Sequence, residues 1–373
     1  MTGFLTTNTK PFLIIAASTL WLSGCSVVDY VVNDANQVQR IVSEAGGTQK
    51  AADGRYENLF PKLTDYPLTC EQDCYPAHAD VSCETTAENC RYQGNAPALA
   101  LNAGFQIHWL GHASFLITTA NGQQFLFDPV SEQFDFPINW AHSLSGGITR
   151  TPPQWPAAEQ LSTVDAVLYS HLHYDHFNKT DIKRLGAQPK YFVHLDTADY
   201  LPTAGLSLFE MDWFTTHKLG DTLIHAVPAH HFNSRYWVPF VYSDDEEALW
   251  GGWVIEHKGK KLFFAGDTGY SQHFKEINKQ HGDIDVCLLP IASYHHETYS
   301  KWYRYVHTTP EDALLAAKDL NCGVMIPWGY GNASWQMGDR SSHSPLLRLL
   351  KMHPEVNREL PLVILNEGEQ VAL

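Results

Sequence analysis

The sequence predicts a layered α/β domain with a polar site along one rim of its strands. Three observations point there. Short, apolar, β-branched runs of strand length recur between stretches of helical spacing. Several of these runs end directly in polar clusters. The densest cluster, Ser170-His171-Leu172-His173-Tyr174-Asp175-His176, sets three imidazoles and a carboxylate within six positions, directly after one such run.

In chain order, Phe105 to Leu110 alternates as a strand and Phe115 to Thr119 follows as a second. Asn121-Gly122 makes a hairpin turn, and the strand Gln124 to Phe127 delivers Asp128-Pro129. Residues 131 to 160, rich in Pro, Gly, Trp and Phe without periodicity, predict a long loop near the site. Val164 to Tyr169 reads as a buried strand and Lys179 to Leu185 as a short helix. Further strands are expected at Tyr191 to Leu195 and at Thr222 to Val227, the latter ending in Pro228-Ala229-His230-His231. Trp253 to Glu256 and Leu262 to Phe264 form a hairpin around Gly259, and the second arm ends at Gly266-Asp267-Thr268-Gly269. Val286 to Pro290 is again a buried strand. Thr309-Pro310 starts a helix, with a threonine cap and proline at the first helical position. A strand at Val324 to Ile326, a helix at Pro345 to Met352 and the segment Leu362 to Leu365 close the chain.

The chemistry follows from side-chain direction. On extended backbone, residues two apart point the same way, so His171 and His173 can meet one ion at the roughly 2.0–2.1 Å that zinc–nitrogen bonding needs. Asp175 and His176 fall beyond the turn and can face a second ion; carboxylate beside imidazole suits zinc, iron or manganese. His231 offers a third imidazole to the first ion, and the two oxygens of Asp267 can bridge both.

The first residues predict export. A polar start with one cation, Lys10, precedes the apolar run Pro11 to Leu22, which has the length of a signal-peptide core and is short for a membrane span. Leu22-Ser23-Gly24-Cys25 resembles a bacterial lipoprotein box, implying cleavage before Cys25 and lipidation there; Ser26 resembles the pattern of an outer-membrane lipoprotein facing the periplasm. The expected organisation is signal peptide 1–24, tether 25–50, cysteine-containing extension 51–104 and main domain 105–373. In an oxidising compartment Cys70, Cys74, Cys83 and Cys90 imply two disulfides of open connectivity. Their spacings of 3, 8 and 6 intervening residues fit a zinc knuckle poorly. Cys287 and Cys322, inside apolar runs, read as inert core thiols. The net charge of −16 excludes nucleic acid and an anionic bilayer face as electrostatic partners, so any phosphate must find its positive charge on metal. Oligomeric state is not legible.

The histidine stretch with Gly266-Asp267-Thr268-Gly269 resembles the metallo-β-lactamase superfamily. The resemblance implies an αββα sandwich, here with a disulfide-stapled N-terminal extension. Trp109-Leu110-Gly111-His112-Ala113-Ser114, Asp128-Pro129, Tyr174, His231-Phe232 before Arg235, Trp250-Gly251-Gly252-Trp253 and Phe263 to Tyr270 resemble the branch of N-acyl phosphatidylethanolamine-hydrolysing phospholipase D and its bacterial relatives. The match spans roughly residues 105 to 350.

That resemblance implies one ion, zinc first, on His171, His173 and His231, a second on Asp175 and His176, and Asp267 bridging. His230 competes with His231, and the family's His-aromatic dipeptide favours His231. Asp267 and His307 are the implied catalytic residues, and His112 is expected to orient the metal loop. One departure stands out: Pro327-Trp328-Gly329 replaces the family's His-Trp-Gly, which removes an imidazole. A substitute from Tyr294-His295-His296-Glu297, a water-completed second ion, or a one-ion or inactive protein all remain open. The expected function is a metal-dependent envelope hydrolase, acting through metal-activated hydroxide on a lipid or small-molecule phosphodiester. Trp302, Tyr303, Tyr305 and Trp328 are candidates to line an acyl pocket. The alternatives are a lactonase or amide hydrolase of the same fold, or a non-catalytic envelope lipoprotein.

Overall fold

The computed structural model describes residues 35–43, 47–83, 90–95, 104–131, 135, 155–238, 242–294, 304–331 and 341–373. The expected signal peptide and lipoprotein box, most of the expected 131–160 loop, residues 295–297, Trp302 and Tyr303 lie outside them.

Eight strands form the first sheet: β1 (Gln37–Ile41), β4 (Phe105–Gly111), β5 (Ser114–Thr119), β6 (Gln124–Phe127), β7 (Ala166–Leu168), β8 (Lys190–His194), β9 (Ser207–Met211) and β18 (Gln370–Ala372). Their order is β1-β9-β8-β7-β6-β5-β4-β18. Six form the second: β10 (Thr216–Leu219), β11 (Thr222–Val227), β14 (Gly252–His257), β15 (Lys260–Phe264), β16 (Val286–Pro290) and β17 (Val324–Trp328), ordered β10-β11-β14-β15-β16-β17. Two small hairpins, β2 (Val81–Cys83) with β3 (Cys90–Tyr92) and β12 (Trp237–Val238) with β13 (Tyr242–Ser243), stand apart. Among the described residues the α-helices are α1 (Ala158–Leu161), α2 (Lys179–Leu185), α3 (His273–His281), α4 (Pro310–Asp319) and α5 (Ser344–Val356).

Alternation along the first sheet separates two cores, because successive side chains leave opposite faces. Phe115, Ile117, Phe125, Phe127, Ala166, Leu168 and Phe192 point inward against the second sheet, where Phe127 meets Phe264 at 5.1 Å between ring centroids. Leu116, Leu126, Val167, Tyr191 and Val193 point outward onto Ile182 of α2. On the far side of the second sheet, α4 packs on β16 and α5 packs on α4. The result is the helix–sheet–sheet–helix layering expected. β16 and β17 are buried throughout, which explains why both read as unbroken apolar runs. Thr309 caps α4 through a reciprocal box with Asp312.

Three expectations change. Residues 25–50 are not a tether throughout: β1 pairs in parallel with β9 and joins the sheet edge. Its side chains are mostly exposed, so backbone hydrogen bonds hold it and no apolar pattern announces it. Cys287 and Cys322 are not free thiols but a disulfide, with Cα atoms 6.0 Å apart. They are 35 residues apart in sequence, and parallel pairing of β16 with β17 brings them together. The chain closes on β18, not on the Leu362 to Leu365 segment, where Leu362 makes only an isolated bridge to Met325. The strands β9 and β10 and the helix α3 were not foreseen.

The other disulfides are Cys70–Cys74 and Cys83–Cys90. The extension carrying them belongs to the same compact unit as the sheets. Arg304 grips it, donating to Leu68 O and Thr69 Oγ1 while pairing with Asp312. Glu311 accepts from Cys70 N at 3.0 Å and pairs with Arg348.

Candidate metal centre

The site forms where β7, β11, β15 and the segment before α4 all end. β7 stops at Leu168, and the chain turns through Ser170 into the histidine stretch. Arg235 holds that turn, donating to Leu172 O at 2.9 Å and Phe177 O at 3.0 Å and pairing with Asp135 at 2.7 Å. Asn233 accepts from Leu172 N at 2.8 Å.

Three ring nitrogens converge. His171 Nε2 lies 2.9 Å from His173 Nδ1, and His231 Nε2 lies 3.2 Å from that same atom. Hydrogen bonds elsewhere dictate which nitrogens carry protons. Ser170 Oγ donates to Asp128 Oδ2 at 2.5 Å, so His171 Nδ1–H donates to Ser170 Oγ at 2.9 Å, leaving Nε2 a bare lone pair. His231 Nδ1–H donates to Val306 O at 2.9 Å, with the same result. Burial, reinforced by neighbouring imidazoles, pushes His171 and His231 well below the usual histidine range. Burial pushes His173 down to about 4, against the pull of Asp175 and Asp267. A proton on His173 Nδ1 can satisfy only one of the two bare nitrogens that face it, whereas a cation between the three rings accepts a lone pair from each. Donors around a tetrahedral zinc at roughly 2.0–2.1 Å stand ~3.3 Å apart, so the arrangement fits such an ion.

A second group adjoins it. His176 Nε2 lies 3.2 Å from Asp267 Oδ2 and 3.7 Å from Asp175 Oδ2, and its Nδ1 donates to buried Asp128 at 2.8 Å. Burial lowers the His176 pKa, but Asp267, Asp175 and Asp128 together raise it well above the usual range. Burial would raise Asp267, yet His176 and His307 hold it well below the usual carboxylate range. His112 Nε2 faces Asp175 Oδ2 at 3.1 Å, and His307 Nε2 faces Asp267 Oδ2 at 3.2 Å. The ligand atoms of His171, His173 and His231 lie within 4.8 Å of one another, as do those of His112, Asp175 and His176 and those of His231, Asp267 and His307. Carboxylate and imidazole in this proportion suit a second divalent ion.

His230 turns away from the cluster: its Nδ1 faces Tyr305 O at 3.0 Å and its Nε2 faces Phe60 O at 3.1 Å. The Gly-Asp-Thr-Gly turn is glycine-dependent. Gly266 has φ +59°, and a Cβ there would lie 2.7 Å from Ser170 Cβ; one on Gly269 would lie 1.9 Å from Tyr305 O. That close approach sets the 304–307 segment, and with it His307, against Asp267. Among the expected pocket aromatics, Trp328 is fully buried and Tyr305 packs on His230.

Sequence reasoning missed the supports. Asp128, Ser170 and Arg235 stood in the sequence only as members of resembling motifs, and Asn233 left no pattern at all. Asn58, in the extension, brackets His231: its Oδ1 accepts from His231 N at 2.9 Å and its Nδ2 donates to His231 O at 2.8 Å.

A family model described as a beta-lactamase superfamily domain matches residues 123–330. An uncharacterised protein of Mycobacterium tuberculosis is 29% identical over 267 residues, covering 69% of this chain and 65% of that protein. The N-acyl-phosphatidylethanolamine-hydrolyzing phospholipase D 1 of Caenorhabditis elegans is 30% identical over 247 residues, covering 61% of this chain and 64% of that one. The chain thus spans just under two thirds of either relative's length. Among solved structures, an isothiocyanate hydrolase from Delia radicum gut bacteria aligns with a TM-score of 0.53 at 17% identity, over 72% of this chain and 98% of that one. This last likeness is one of fold.

Proposed function

The chain belongs to the beta-lactamase superfamily, and from that premise we propose a metal-dependent hydrolase of the cell envelope that cleaves phosphodiesters of phospholipid-like chemistry. The observation that carries the reading is the convergence of His171, His173 and His231 nitrogens beside the Asp175, His176 and Asp267 group. Zinc fits this donor set first, with iron or manganese as alternatives. Such an ion, when bound, supplies Lewis acidity and brings the pKa of water toward neutrality.

The chain's own residues orient and move protons. Asp267 Oδ2, 3.2 Å from both His176 and His307, is placed to hold a water by one hydrogen and align it. His307 keeps 17% of its side chain exposed and carries its Nε2 at Asp267, so it can pass a proton to a departing oxygen. Asp128 fixes the His176 ring by accepting from Nδ1.

The phosphodiester choice is supported by the nematode relative, a phospholipase by name. With a net charge of −16 the chain has no basic surplus to receive phosphate, which leaves that role to metal. Export is supported by the pairing of all six cysteines beyond Cys25, as expected in an oxidising compartment. Lipidated Cys25 would then hold the enzyme at its substrate's surface, on the periplasmic side of an outer membrane.

Metal content and hydrolysis of bis(4-nitrophenyl) phosphate and of N-acyl phosphatidylethanolamine vesicles, by wild type and His173→Ala, test the reading. We expect the substitution to remove metal and both activities. Hydrolysis that survives it, or a wild type that takes up no metal, overturns the proposal; turnover of an aryl lactone alone would favour the lactonase.

A further inference from the structure

We propose that His112 is a direct ligand of the second ion, its Nε2 supplying the imidazole that Pro327 cannot. The inference rests on the metal reading above and deepens it.

The late strand β17 brings an indole toward this group, not an imidazole. The Trp328 ring lies 6.4 Å from His176 and 6.5 Å from His112, edge-on to both. An ion on Asp175, His176 and Asp267 would therefore take two carboxylates and a single imidazole. The β4–β5 turn reaches the same place from the opposite sheet. His112 is buried, its Nε2 is 3.1 Å from Asp175 Oδ2, and the His112 and His176 rings meet edge to face at 5.4 Å. Donor separations of 3.1 Å and 3.7 Å around Asp175 Oδ2 bracket the ~3.3 Å spacing that a tetrahedral ion sets between its ligands.

The backbone delivering this imidazole is costly, and it is locked. His112 sits at φ +51°, beside Gly111 at φ +105°, where the β4–β5 register slips. Trp109 Nε1 donates to His112 O at 2.8 Å and fixes the turn. A left-handed histidine is strained and persists where surrounding structure over-determines it, commonly at functional positions. A histidine that only steadied Asp175 would donate Nε2–H to it. A ligand must instead present a bare Nε2 and carry its proton on Nδ1. The two roles therefore differ in tautomer.

The experiment is two-bond ¹H–¹⁵N correlation spectroscopy of the histidine rings in the zinc-loaded, ¹⁵N-histidine-labelled protein, beside zinc content of wild type and His112→Gln. We expect about two zinc ions per wild-type chain, with His112 protonated at Nδ1 and its Nε2 shifted as a metal-bound nitrogen, and about one per variant chain. Signals of His112 are identified by their loss in the variant or, if that variant does not fold, by their loss in His112→Asn. His112 protonated at Nε2 in the two-zinc wild type overturns the inference and leaves the metal reading standing. One zinc per wild-type chain with the His112 ring unshifted overturns it equally. A wild type that binds no zinc defeats both.

Discussion

Replacing Asn58 with alanine tests whether the N-terminal extension builds the metal centre or merely packs near it. The Asn58 amide makes two short bonds to the backbone of His231, at 2.9 Å and 2.8 Å, and longer ones to Tyr305 Oη and from Trp250 Nε1, both at 3.3 Å. Alanine would leave the His231 N–H and C=O without those partners inside a residue that is 1% exposed. An orphaned buried polar group costs about 1–3 kcal/mol, so the two together predict a loss of about 2–6 kcal/mol. Because His231 Nε2 is one of three converging nitrogens, its drift should also weaken zinc binding by roughly 10–100-fold, the effect seen when a ligand's support is removed. Scanning calorimetry of the metal-free protein reads the first quantity, and competition with a chromophoric chelator reads the second. A variant that melts like wild type and binds zinc as tightly would show that the strand ends place His231 unaided.

Three further outcomes are expected. Glu311→Gln should destabilise by about 3–5 kcal/mol in urea unfolding, because it strands the buried Arg348 guanidinium; Glu311→Leu with Arg348→Met should recover most of that loss. The N-terminal segment carrying β1 should loosen in acid. Burial raises the Asp196 pKa, but Arg40, Lys50 and Tyr56 more than offset it and bring it down to about 2. A carboxyl depressed in the folded state lends stability above its unfolded value of 3.8 and loses it as pH falls toward about 2. Partial exposure limits the effect to about 1 kcal/mol. Hydrogen exchange of β1 should quicken across that window, and Asp196→Asn should reproduce the quickening at neutral pH; exchange that is flat in both would refute it. Finally, Cys287→Ala with Cys322→Ala opens a 35-residue loop and should lower stability by about 3–4 kcal/mol by chemical denaturation, while metal content stays unchanged.

Much of the fold was legible because it is written locally. β5, β6 and β7 read as short apolar runs because both faces are covered, one by the second sheet and the other by the layer of α2, and the capping box of α4 lies within four residues. β1 was not legible, because an exposed edge strand buries little and needs no apolar pattern. Nor was the Cys287–Cys322 bridge, since an apolar surrounding reads alike for a free thiol and a disulfide. Asn58 illustrates the limit most clearly: its partner His231 lies 173 positions away, and no spacing rule spans that distance.

The sequence by itself determined the donor inventory: three imidazoles and a carboxylate at one strand end, with His231 and Asp267 waiting at two others. Short-range periodicity is enough for that, because a strand's direction and its last residue are local properties. Which nitrogen of each ring faces the ion, why His231 and not His230 turns inward, and how His112 arrives beside Asp175 were decided only by the tertiary structure. Those choices rest on hydrogen bonds with Ser170, Val306, Tyr305, Phe60 and Trp109, most of them held in place by chain segments far away in sequence.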